Sequence, residues 1–321
     1  MRRWHSNPTV TVVIPAFNAQ ATIAETLLSA RTQTYDQLEI IVVDDGSTDG
    51  TAAIVRQHSE ADPRVKVIHQ ANAGVAAARN AGAAAATGDF IAPLDADDVW
   101  LPEKIERQIE PFMNGDAQLG VVYAWSTMIG EGGKVMAAPR PDTAGWVLPE
   151  MALRNFIGNG SSPLIRTTAF RDTAGYDPTL RNRGGQGCED RKLYLQLAAK
   201  WRFAVIPEFL TLYRLAAGNM SSDVQQMLRS HDLVSSDFLA EHPDLAPIFH
   251  ESRNRLGRFM LRRALAERRL AAAAALVRSM AAHDPLFTFL TVSKEISRPL
   301  RHSVMRRLGL GGPPASPAIE P

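Results

Sequence analysis

Four short apolar runs in the first hundred residues constrain the fold more than any other feature of this chain. They are Val10–Ile14, Leu38–Val43, Val65–Ile68 and Phe90–Leu94, and their starts lie 25 to 28 residues apart. A helical pattern separates each run from the next. This alternation predicts strands joined by right-handed helical crossovers, and hence a mostly parallel sheet with helices on both faces. The chain is therefore expected to adopt an α/β fold.

Polar residues follow each predicted strand at the point where it ends. They are Pro15–Asn18, Asp44–Ser47, Asn72–Gly74 and Asp95–Asp98. The carboxyl ends of parallel strands meet at one edge of the sheet, and ligands of open α/β folds bind beyond that edge. We therefore expect these four turns to form one binding site.

The last of these turns, Asp-Ala-Asp-Asp at 95–98, places three carboxylates close together. Such carboxylates repel one another unless a cation or hydrogen-bond donors compensate them, and Mg²⁺ or Mn²⁺ prefers hard oxygen ligands of this kind. Taken alone, the cluster is more typical of a solvated acidic turn that caps the helix beginning near Pro102, because Asp is a good N-cap. The cluster by itself leaves both interpretations open.

A second acidic pair, Glu189 and Asp190, follows the polar, glycine-rich stretch 181–187. The apolar spacing after it is helical, so the pair is expected in the first turn of a helix. Carboxylates are favoured there by the helix dipole, and a plain helix cap is the alternative to a functional role. The Gly- and Pro-rich residues 130–149 are predicted to form a loop over the site.

Composition narrows the class of protein. The 321 residues suffice for one large domain or two ordinary ones. The single cysteine, Cys188, excludes an internal disulfide and a cysteine-rich metal site, which fits a reducing compartment. No apolar run approaches the roughly 18 residues of a membrane span, and residues 1–5 lack the apolar stretch of a secretory signal. A cytoplasmic location is expected.

Charge divides the chain into an acidic front and a basic back. Residues 1–249 carry 22 Lys and Arg against 29 Asp and Glu, whereas 250–310 carry 13 against 4. Residues 251–281 are amphipathic, and their apolar side is expected to pack within the protein. Peripheral contact of 250–310 with the inner face of the cytoplasmic membrane is the alternative. Nucleic-acid binding is not expected, because no aromatic stacking residues are interleaved with the arginines.

The change of pattern suggests three regions. Residues 1–220 form the predicted α/β domain and 221–308 a helical C-terminal region. Residues 309–321, which begin Gly-Leu-Gly-Gly-Pro-Pro, are predicted to be a disordered tail.

Five motifs in order resemble those of family 2 nucleotide-sugar glycosyltransferases, which have the GT-A fold. The motifs are VVIPAFN at 12–18, VDDGSTDGT at 43–51, ARNAG at 78–82, TGDFIAPLDADD at 87–98, and Glu189-Asp190. The resemblance covers about residues 8–215. It implies a Rossmann-like, mostly parallel sheet flanked by helices, followed here by the helical C-terminal extension.

The resemblance also implies a nucleotide-sugar-binding set at the ends of the strands and in the helix after the third strand. Its members are Pro15, Ala16, Asn18, Asp44, Asp45, Ser47, Arg79, Asn80, Asp95, Ala96 and Asp97. Asp44 or Asp45 would accept a hydrogen bond from the base, typically uracil. Arg79 and Asn80 would lie near the diphosphate and nucleoside.

The remaining implied roles concern the chemistry. Asp95 and Asp97 would form the DxD pair that binds Mg²⁺ or Mn²⁺, with Asp97 as metal ligand and Asp95 directed towards ribose and sugar. Asp190 would be the general base for the acceptor hydroxyl, and Glu189 would orient the site. Tyr213-Arg214 with 219–222 is the nearest match to a basic segment that closes over the diphosphate.

The expected function is that of an inverting, metal-dependent hexosyltransferase in surface polysaccharide biosynthesis. It would use a nucleotide-sugar, with UDP-sugar favoured, and a glycan or lipid-linked glycan acceptor. No Gln-x-x-Arg-Trp motif follows Asp190, so a non-processive enzyme is expected. The alternatives are a nucleotidyltransferase, which would want a basic Gly-rich loop after the first strand, and a non-catalytic nucleotide-binding protein.

Overall fold

The computed structural model describes residues 7–114, 116–215 and 224–295. These residues form two compact units, one made of 7–151, 155–183 and 189–215 and the other of 152–154, 184–188 and 224–295. The predicted boundary at 220/221 and the predicted tail at 309–321 lie outside the described residues.

A nine-stranded sheet organises the first unit, counted over the described residues. Its strands are β1 (Val10–Ala16), β2 (Leu38–Asp44), β3 (Val65–His69), β4 (Phe90–Pro93), β5 (Val99–Trp100), β6 (Leu119–Ile129), β7 (Val135–Ala137), β8 (Leu164–Arg166) and β9 (Arg202–Arg214). The order is β3-β2-β1-β4-β8-β6-β9-β5, with β7 paired to β6. The neighbours within β3-β2-β1-β4 are parallel, as predicted.

Helices cover both faces of the parallel strands. They are α1 (Ile23–Arg31), α2 (Thr51–Ala61), α3 (Val75–Ala85), α4 (Lys104–Met113), α5 (Leu148–Leu153), α6 (Thr167–Arg171), α7 (Thr179–Asn182) and α8 (Glu189–Ala198). Along β2, Ile40 and Val42 belong to the main core, which also contains Leu27 and Phe112. The alternate residues Ile41 and Val43 pack on the other face. Burial of both faces explains the unbroken apolar run of β2.

Helix α3 packs unusually close to the sheet. A Cβ on Gly82 would lie 2.4 Å from Val13 Cγ1, so a larger residue could enter this helix only if the packing shifted. The close approach fixes the helix that carries Arg79 and Asn80 against β1.

The second half of the sheet departs from the parallel pattern. β8 is antiparallel to β4 and to β6. Residues Arg202–Arg214 form one long strand, β9, which is parallel to β6. The register shifts between Ala124 and Trp125, opposite Pro207 and Glu208. Proline has no backbone N–H to donate to the hydrogen bonds between strands, and a bulge at this point lets the strand continue past Pro207.

The second unit is mostly helical from residue 224 onward. It contains α9 (Val224–Leu239), α10 (Ala246–Ala266), α11 (Leu270–His283) and α12 at 285–295. The amphipathic stretch 251–281 is thus two helices, separated at Arg268, whose φ is +55°. The apolar side of the stretch packs as expected at Met260 and Leu276. Leu265 and Leu270 flank the break and are exposed. Over the described residues, no helix combines the length and apolarity of a membrane span.

Candidate active site

The turns after β1 and β2 are joined by the residues that the sequence singles out. Pro15 and Ala16 end β1, and Ala16 pairs with Asp44. Asn18 adopts a left-handed conformation with φ of +47°. Its backbone N–H donates to Ser47 Oγ at 3.0 Å, and its side-chain Oδ1 accepts from Thr48 N at 2.8 Å. The first two motifs therefore form one continuous edge.

Asp44 and Asp45 have different surroundings. Asp45 is buried, and its carboxylate accepts from Gln70 Nε2 at 2.7 Å and from the backbone N–H groups of Ala73 and Gly74 at 2.8 Å each. This carboxylate holds the turn after β3. Asp44 accepts from Ser47 N at 3.0 Å and lies 3.1 Å from His69 Nδ1. Of the two predicted base-binding residues, Asp45 thus already has three donors within the protein.

Arg79 brings the acidic turn after β4 together with the acidic pair of α8. It is 3% exposed; its Nη2 lies 2.5 Å from Asp95 Oδ1 and its Nη1 3.3 Å from Glu189 Oε1. Its guanidinium also lies 5.1 Å from the centre of the Tyr176 ring. Within the described residues, Arg79 Nε has no hydrogen-bond partner. Segments about a hundred residues apart therefore meet at one buried cation.

Asn80 has a positioning contact beside Arg79. Its Nδ2 donates to the carbonyl oxygen of Tyr176 at 2.7 Å, and its Oδ1 accepts from Tyr176 N at 2.9 Å. The amide group thus clamps the loop that carries Tyr176. Its predicted contact with the nucleotide stays a prediction.

The acidic turn at 95–98 is built on a buried hydrogen-bond network. Asp98 is fully buried, and its carboxylate accepts from Ser161 Oγ at 2.5 Å and from Arg214 N at 2.9 Å. Ser161 Oγ in turn accepts from Asp95 N at 2.9 Å. The pKa of Asp98 is raised well above its ordinary value by burial and by the neighbouring carboxylates of Asp95 and Asp97. The third aspartate therefore anchors the turn.

Asp97 and Ala96 complete this turn. The pKa of Asp97 is raised to about 6, first by burial and then by the charge of Asp95, while Arg214 opposes the rise. The Arg214 side chain donates to the Asp97 carbonyl oxygen at 2.9 Å and pairs with Glu25 at 2.8 Å. The Ala96 carbonyl oxygen accepts from Thr22 Oγ1 at 2.8 Å. Of the segment expected to close over the diphosphate, Tyr213 and Arg214 lie at the end of β9, and 219–222 lies outside the described residues.

Asp190 is a partly buried carboxylate in the first turn of α8, where the sequence placed it. Its Oδ2 accepts from Asn155 Nδ2 at 3.2 Å, and its Oδ1 from Arg191 N at 2.6 Å. Burial raises its pKa to about 6, and the charge of Glu189 adds to the rise. The neighbouring Glu189 is buried and forms an ion pair with Arg79. A carboxylate that only capped a solvated helix end would explain neither this ion pair nor the burial of Glu189.

The sequence predicts two metal ligands, Asp95 and Asp97. Over the described residues, no group of three or more His, Cys, Asp or Glu side chains is arranged to hold a metal ion. Asp95 and Asp97 still fit the chemistry of Mg²⁺ or Mn²⁺, because such ions are commonly held by one or two carboxylates together with substrate phosphates and water. Burial raises the pKa of Asp97 and the neighbouring charge of Asp95 adds to the rise, so a bound cation would favour the ionised form of both carboxylates.

Sequence reasoning missed three residues that hold this site. Asn155 contacts the candidate base, Ser161 links Asp95 to Asp98, and Tyr176 lies under Arg79. Asn155, Ser161 and Tyr176 all stand outside the recognised motifs. Their one local signal is proximity to turns, such as Asn159-Gly160 before Ser161.

Comparison with known proteins identifies the family. The model of "Glycosyl transferase family 2" matches residues 11–174. The chain belongs to glycosyl transferase family 2. The predicted resemblance is therefore confirmed, and the chain is a glycosyltransferase. This family assignment favours a glycosyltransferase over the nucleotidyltransferase and non-catalytic alternatives.

A sequence relative supports this assignment. The putative teichuronic acid biosynthesis glycosyltransferase TuaG of Bacillus subtilis is 33% identical over 230 residues, which cover 70% of this chain and 84% of TuaG. Several other glycosyltransferases are matched over only 33–41% of their own length.

Solved structures confirm the GT-A fold. Residues 1–349 of S. aureus TarS in complex with UDP-GlcNAc superpose with a TM-score of 0.61 at 20% identity, covering 77% of this chain and 72% of that one. The mannosyltransferase PcManGT from Pyrobaculum calidifontis, in complex with GDP-Man and Mn²⁺, has a TM-score of 0.59 at 20% identity. Its match covers 95% of this chain and 86% of PcManGT.

Proposed function

We propose that this glycosyltransferase is an inverting, metal-dependent and non-processive enzyme. It moves a sugar, as expected for a hexosyltransferase, from a nucleotide-sugar to a hydroxyl of a glycan or lipid-linked glycan. The observation that carries the proposal is the pair of contacts made by buried Arg79, to Asp95 and to Glu189, the neighbour of Asp190. They bring the DxD turn and the candidate base to one place.

The donor is proposed to lie along the edge formed by the ends of β1 to β4. Asn18 and Ser47 shape the nucleoside end, together with Pro15 and Ala16. Asp44 is the better candidate for the base, because Asp45 is already engaged by the turn after β3. A UDP-sugar is favoured, in keeping with the UDP-GlcNAc complex of the similar TarS structure.

Asp95 and Asp97 are proposed to hold the divalent cation, Mg²⁺ or Mn²⁺, beside the donor diphosphate. Bound there, the ion would act as a Lewis acid that neutralises the charge on the departing nucleoside diphosphate. The solved PcManGT complex contains Mn²⁺. In this chain Asp98, Ser161 and Arg214 fix the turn that presents the two carboxylates.

Asp190 is proposed to remove the proton from the acceptor hydroxyl as the oxygen attacks the anomeric carbon. One displacement from the face opposite the diphosphate inverts that carbon, so an α-linked donor gives a β-linked product. A carboxylate whose pKa is about 6 is a stronger base than an ordinary aspartate and is still ionised at neutral pH. Asn155 and Glu189 orient the site around it.

The cellular role is proposed from the relatives. The name of TuaG refers to teichuronic acid biosynthesis, which supports a part in building a surface polysaccharide for this chain also. We place the enzyme in the cytoplasm, with peripheral contact at the inner face of the membrane through 250–310. Residues 1–220 would form the catalytic domain. The helical region 221–308 would have an auxiliary role, which includes this membrane contact.

The test is a donor screen with a stereochemical readout. The purified chain is incubated with UDP-, GDP- and TDP-sugars, Mn²⁺ or EDTA, and simple acceptor alcohols, and nucleoside diphosphate release is measured. The proposal predicts release from a UDP-sugar that EDTA abolishes, and a β-linked product by NMR. An α-linked product from an α-linked donor, or release that EDTA does not alter, would overturn it.

A further inference from the structure

Tyr213 carries a hydroxyl group that the contacts within the protein leave unused. It is the second-last residue of β9 and is partly buried. Within the residues that the structure describes, its hydroxyl has no hydrogen-bond partner. A phenol hydroxyl removed from bulk water usually finds a partner, so this one is free to contact a ligand.

The backbone on both sides of Tyr213 is attached to the acidic turn. Leu212 pairs with Val99, which directly follows that turn. Arg214 donates its backbone N–H to the Asp98 carboxylate at 2.9 Å. Tyr213 is therefore held next to the DxD turn.

The register of β9 places Tyr213 on the side of the sheet that faces α8. Thr211 pairs with Ser126, whose Oγ accepts from Asn159 Nδ2 at 2.8 Å. The Asn159 carbonyl oxygen accepts from the hydroxyl of Tyr194, which lies in α8 one turn after the candidate base. Residues two apart on a strand share a face. Tyr213 thus lies on the same side as Thr211 and nearer the edge of the sheet that carries the site.

The charges around the Tyr213 hydroxyl agree with this position. Burial raises the pKa of Tyr213 above its ordinary value, and the carboxylates of Asp98, Asp95 and Asp190 add to the rise. These carboxylates come from both sides of the site, the DxD turn and α8. The phenol therefore stays protonated at neutral pH and can donate a hydrogen bond.

The chemistry on the two sides of the site indicates which ligand group meets this hydroxyl. In the proposed function, the DxD turn holds the donor diphosphate and Asp190 takes the acceptor proton. The transferred sugar must then lie between them. A sugar ring presents several uncharged hydroxyl groups, and a single neutral donor is suited to bind and orient one of them.

We propose that the Tyr213 hydroxyl donates a hydrogen bond to a hydroxyl group of the transferred sugar. Tyr213 is thus a specificity-determining residue for the sugar of the donor, because a site that binds a substrate hydroxyl in this way rejects an analogue without it. The inference rests on the proposed function, which supplies the place of the sugar.

Calorimetric titration with Mn²⁺ and without acceptor tests the proposal by comparing UDP with UDP-glucose, UDP-galactose and UDP-GlcNAc. Tyr213→Phe removes only the hydroxyl. It should weaken binding of the preferred UDP-sugar about tenfold, while the Kd for UDP stays within about twofold of the parent. The control Tyr35→Phe removes a hydroxyl that donates to the Pro8 carbonyl oxygen at 2.5 Å, before β1 and away from the site, and should change neither Kd.

Single-deoxy analogues of the preferred UDP-sugar identify the hydroxyl group that Tyr213 contacts. The parent should bind one analogue about tenfold more weakly than the complete donor. Tyr213→Phe should show no further loss with that analogue, because the two changes remove the same hydrogen bond.

The outcomes separate this inference from the proposed function. Unchanged affinity of Tyr213→Phe for the UDP-sugar, or an equal loss of affinity for UDP, would overturn the inference and leave the proposed chemistry standing. So would a shift in the acidic limb of the pH–rate profile at unchanged affinity, because the hydroxyl would then act on Asp190. If the parent binds none of the three donors, the proposed UDP-sugar donor is wrong and the inference fails with it.

Discussion

The guanidinium of Arg79 contacts the carboxylate of Asp95 at 2.5 Å inside the first unit of the enzyme. The same guanidinium reaches Glu189 at 3.3 Å. One buried cation thus fixes the distance between the turn that would hold the donor diphosphate and the helix that carries the candidate base. Burial of a charge is costly unless it is paired, so these contacts are needed for the fold as well as for the site.

Replacement of Arg79 by lysine should separate the two acidic segments. Lysine has a point charge and cannot hold two carboxylates through a planar fork. We expect kcat/KM to fall by about a hundredfold or more, which corresponds to about 3 kcal/mol of lost transition-state stabilisation. Steady-state kinetics measures this. Arg56→Lys on the exposed side of α2 is the matched control and should be close to the parent. Equal losses in both variants would contradict the role of Arg79.

The pH dependence of transfer should follow Asp190. Its pKa is raised to about 6 and the base must be ionised to act. Below pH 6 the rate should therefore fall about tenfold per pH unit, and above it the rate should level off. Measurements of kcat from pH 4.5 to 8.5 at saturating donor check this. A rate that stays level down to pH 4.5 would exclude a base with a raised pKa.

The raised pKa of Asp190 should also make stability depend on pH, but in the opposite direction: activity rises with pH, whereas stability falls. A carboxyl whose folded pKa is raised favours the folded state when it is protonated. The cost of ionising Asp190 therefore develops as pH rises from about 4, its unfolded pKa, to about 6 and then remains. Asp190→Asn should unfold at a higher temperature than the parent at pH 8, with the difference disappearing near pH 4. Thermal unfolding at both pH values measures it, and a difference independent of pH would contradict the assignment.

Removal of the side-chain amide of Asn155 should change the pKa of Asp190 and leave the donor site unaltered. Its Nδ2 donates to Asp190 at 3.2 Å, and a donor favours the ionised form of a carboxylate. Asn155→Ala should therefore move the acidic limb of the pH–rate profile to higher pH and lower kcat by about tenfold, while the Kd for UDP remains unchanged. If the acidic limb of the pH–rate profile does not shift, Asn155 does not influence the pKa of Asp190.

Ser161 should matter to both stability and donor binding. Its hydroxyl accepts from Asp95 N and donates to Asp98, and both partners are lost in Ser161→Ala. Leaving these buried groups unpaired should cost about 1–3 kcal/mol of unfolding free energy and should weaken Mn²⁺-dependent donor binding. Chemical denaturation and calorimetry measure the two effects. Ser236→Ala on exposed α9 should change stability by less than about 0.5 kcal/mol.

The parallel half of the fold could be predicted because its signal is local. Apolar runs such as 38–43 and the turns that follow them define strands and their carboxyl edge without any long-range information. The second half of the sheet could not be predicted in the same way. Strand β9 continues past Pro207 only because β9 itself bulges there, with Pro207 and Glu208 as extra residues opposite the step from Ala124 to Trp125. This pairing depends on a partner strand about eighty residues away.

The sequence predicted which residues belong to the candidate site better than it predicted the contacts among them. The motifs contained Asp45, Arg79 and Asn80, yet the hydrogen bonds of Asp45 to the 70–74 turn depend on the folded backbone. Ser161 joins the site through two hydrogen bonds, to Asp95 and Asp98, and Asn155 joins it through one, to Asp190. One polar residue in a loop leaves no periodic trace in a sequence, so these two could be found only from the structure.

The central claim is that Asp190 removes the acceptor proton beside a donor held by Asp95 and Asp97. Its most direct test is single-turnover sugar transfer by Asp190→Asn, together with calorimetric binding of the donor nucleotide in the presence of Mn²⁺. Transfer should fall by about a thousandfold or more, within the range of general-base catalysis, while the Kd for the nucleotide stays within about twofold of the parent. Transfer near the parental rate, or parallel loss of nucleotide binding, would contradict the account.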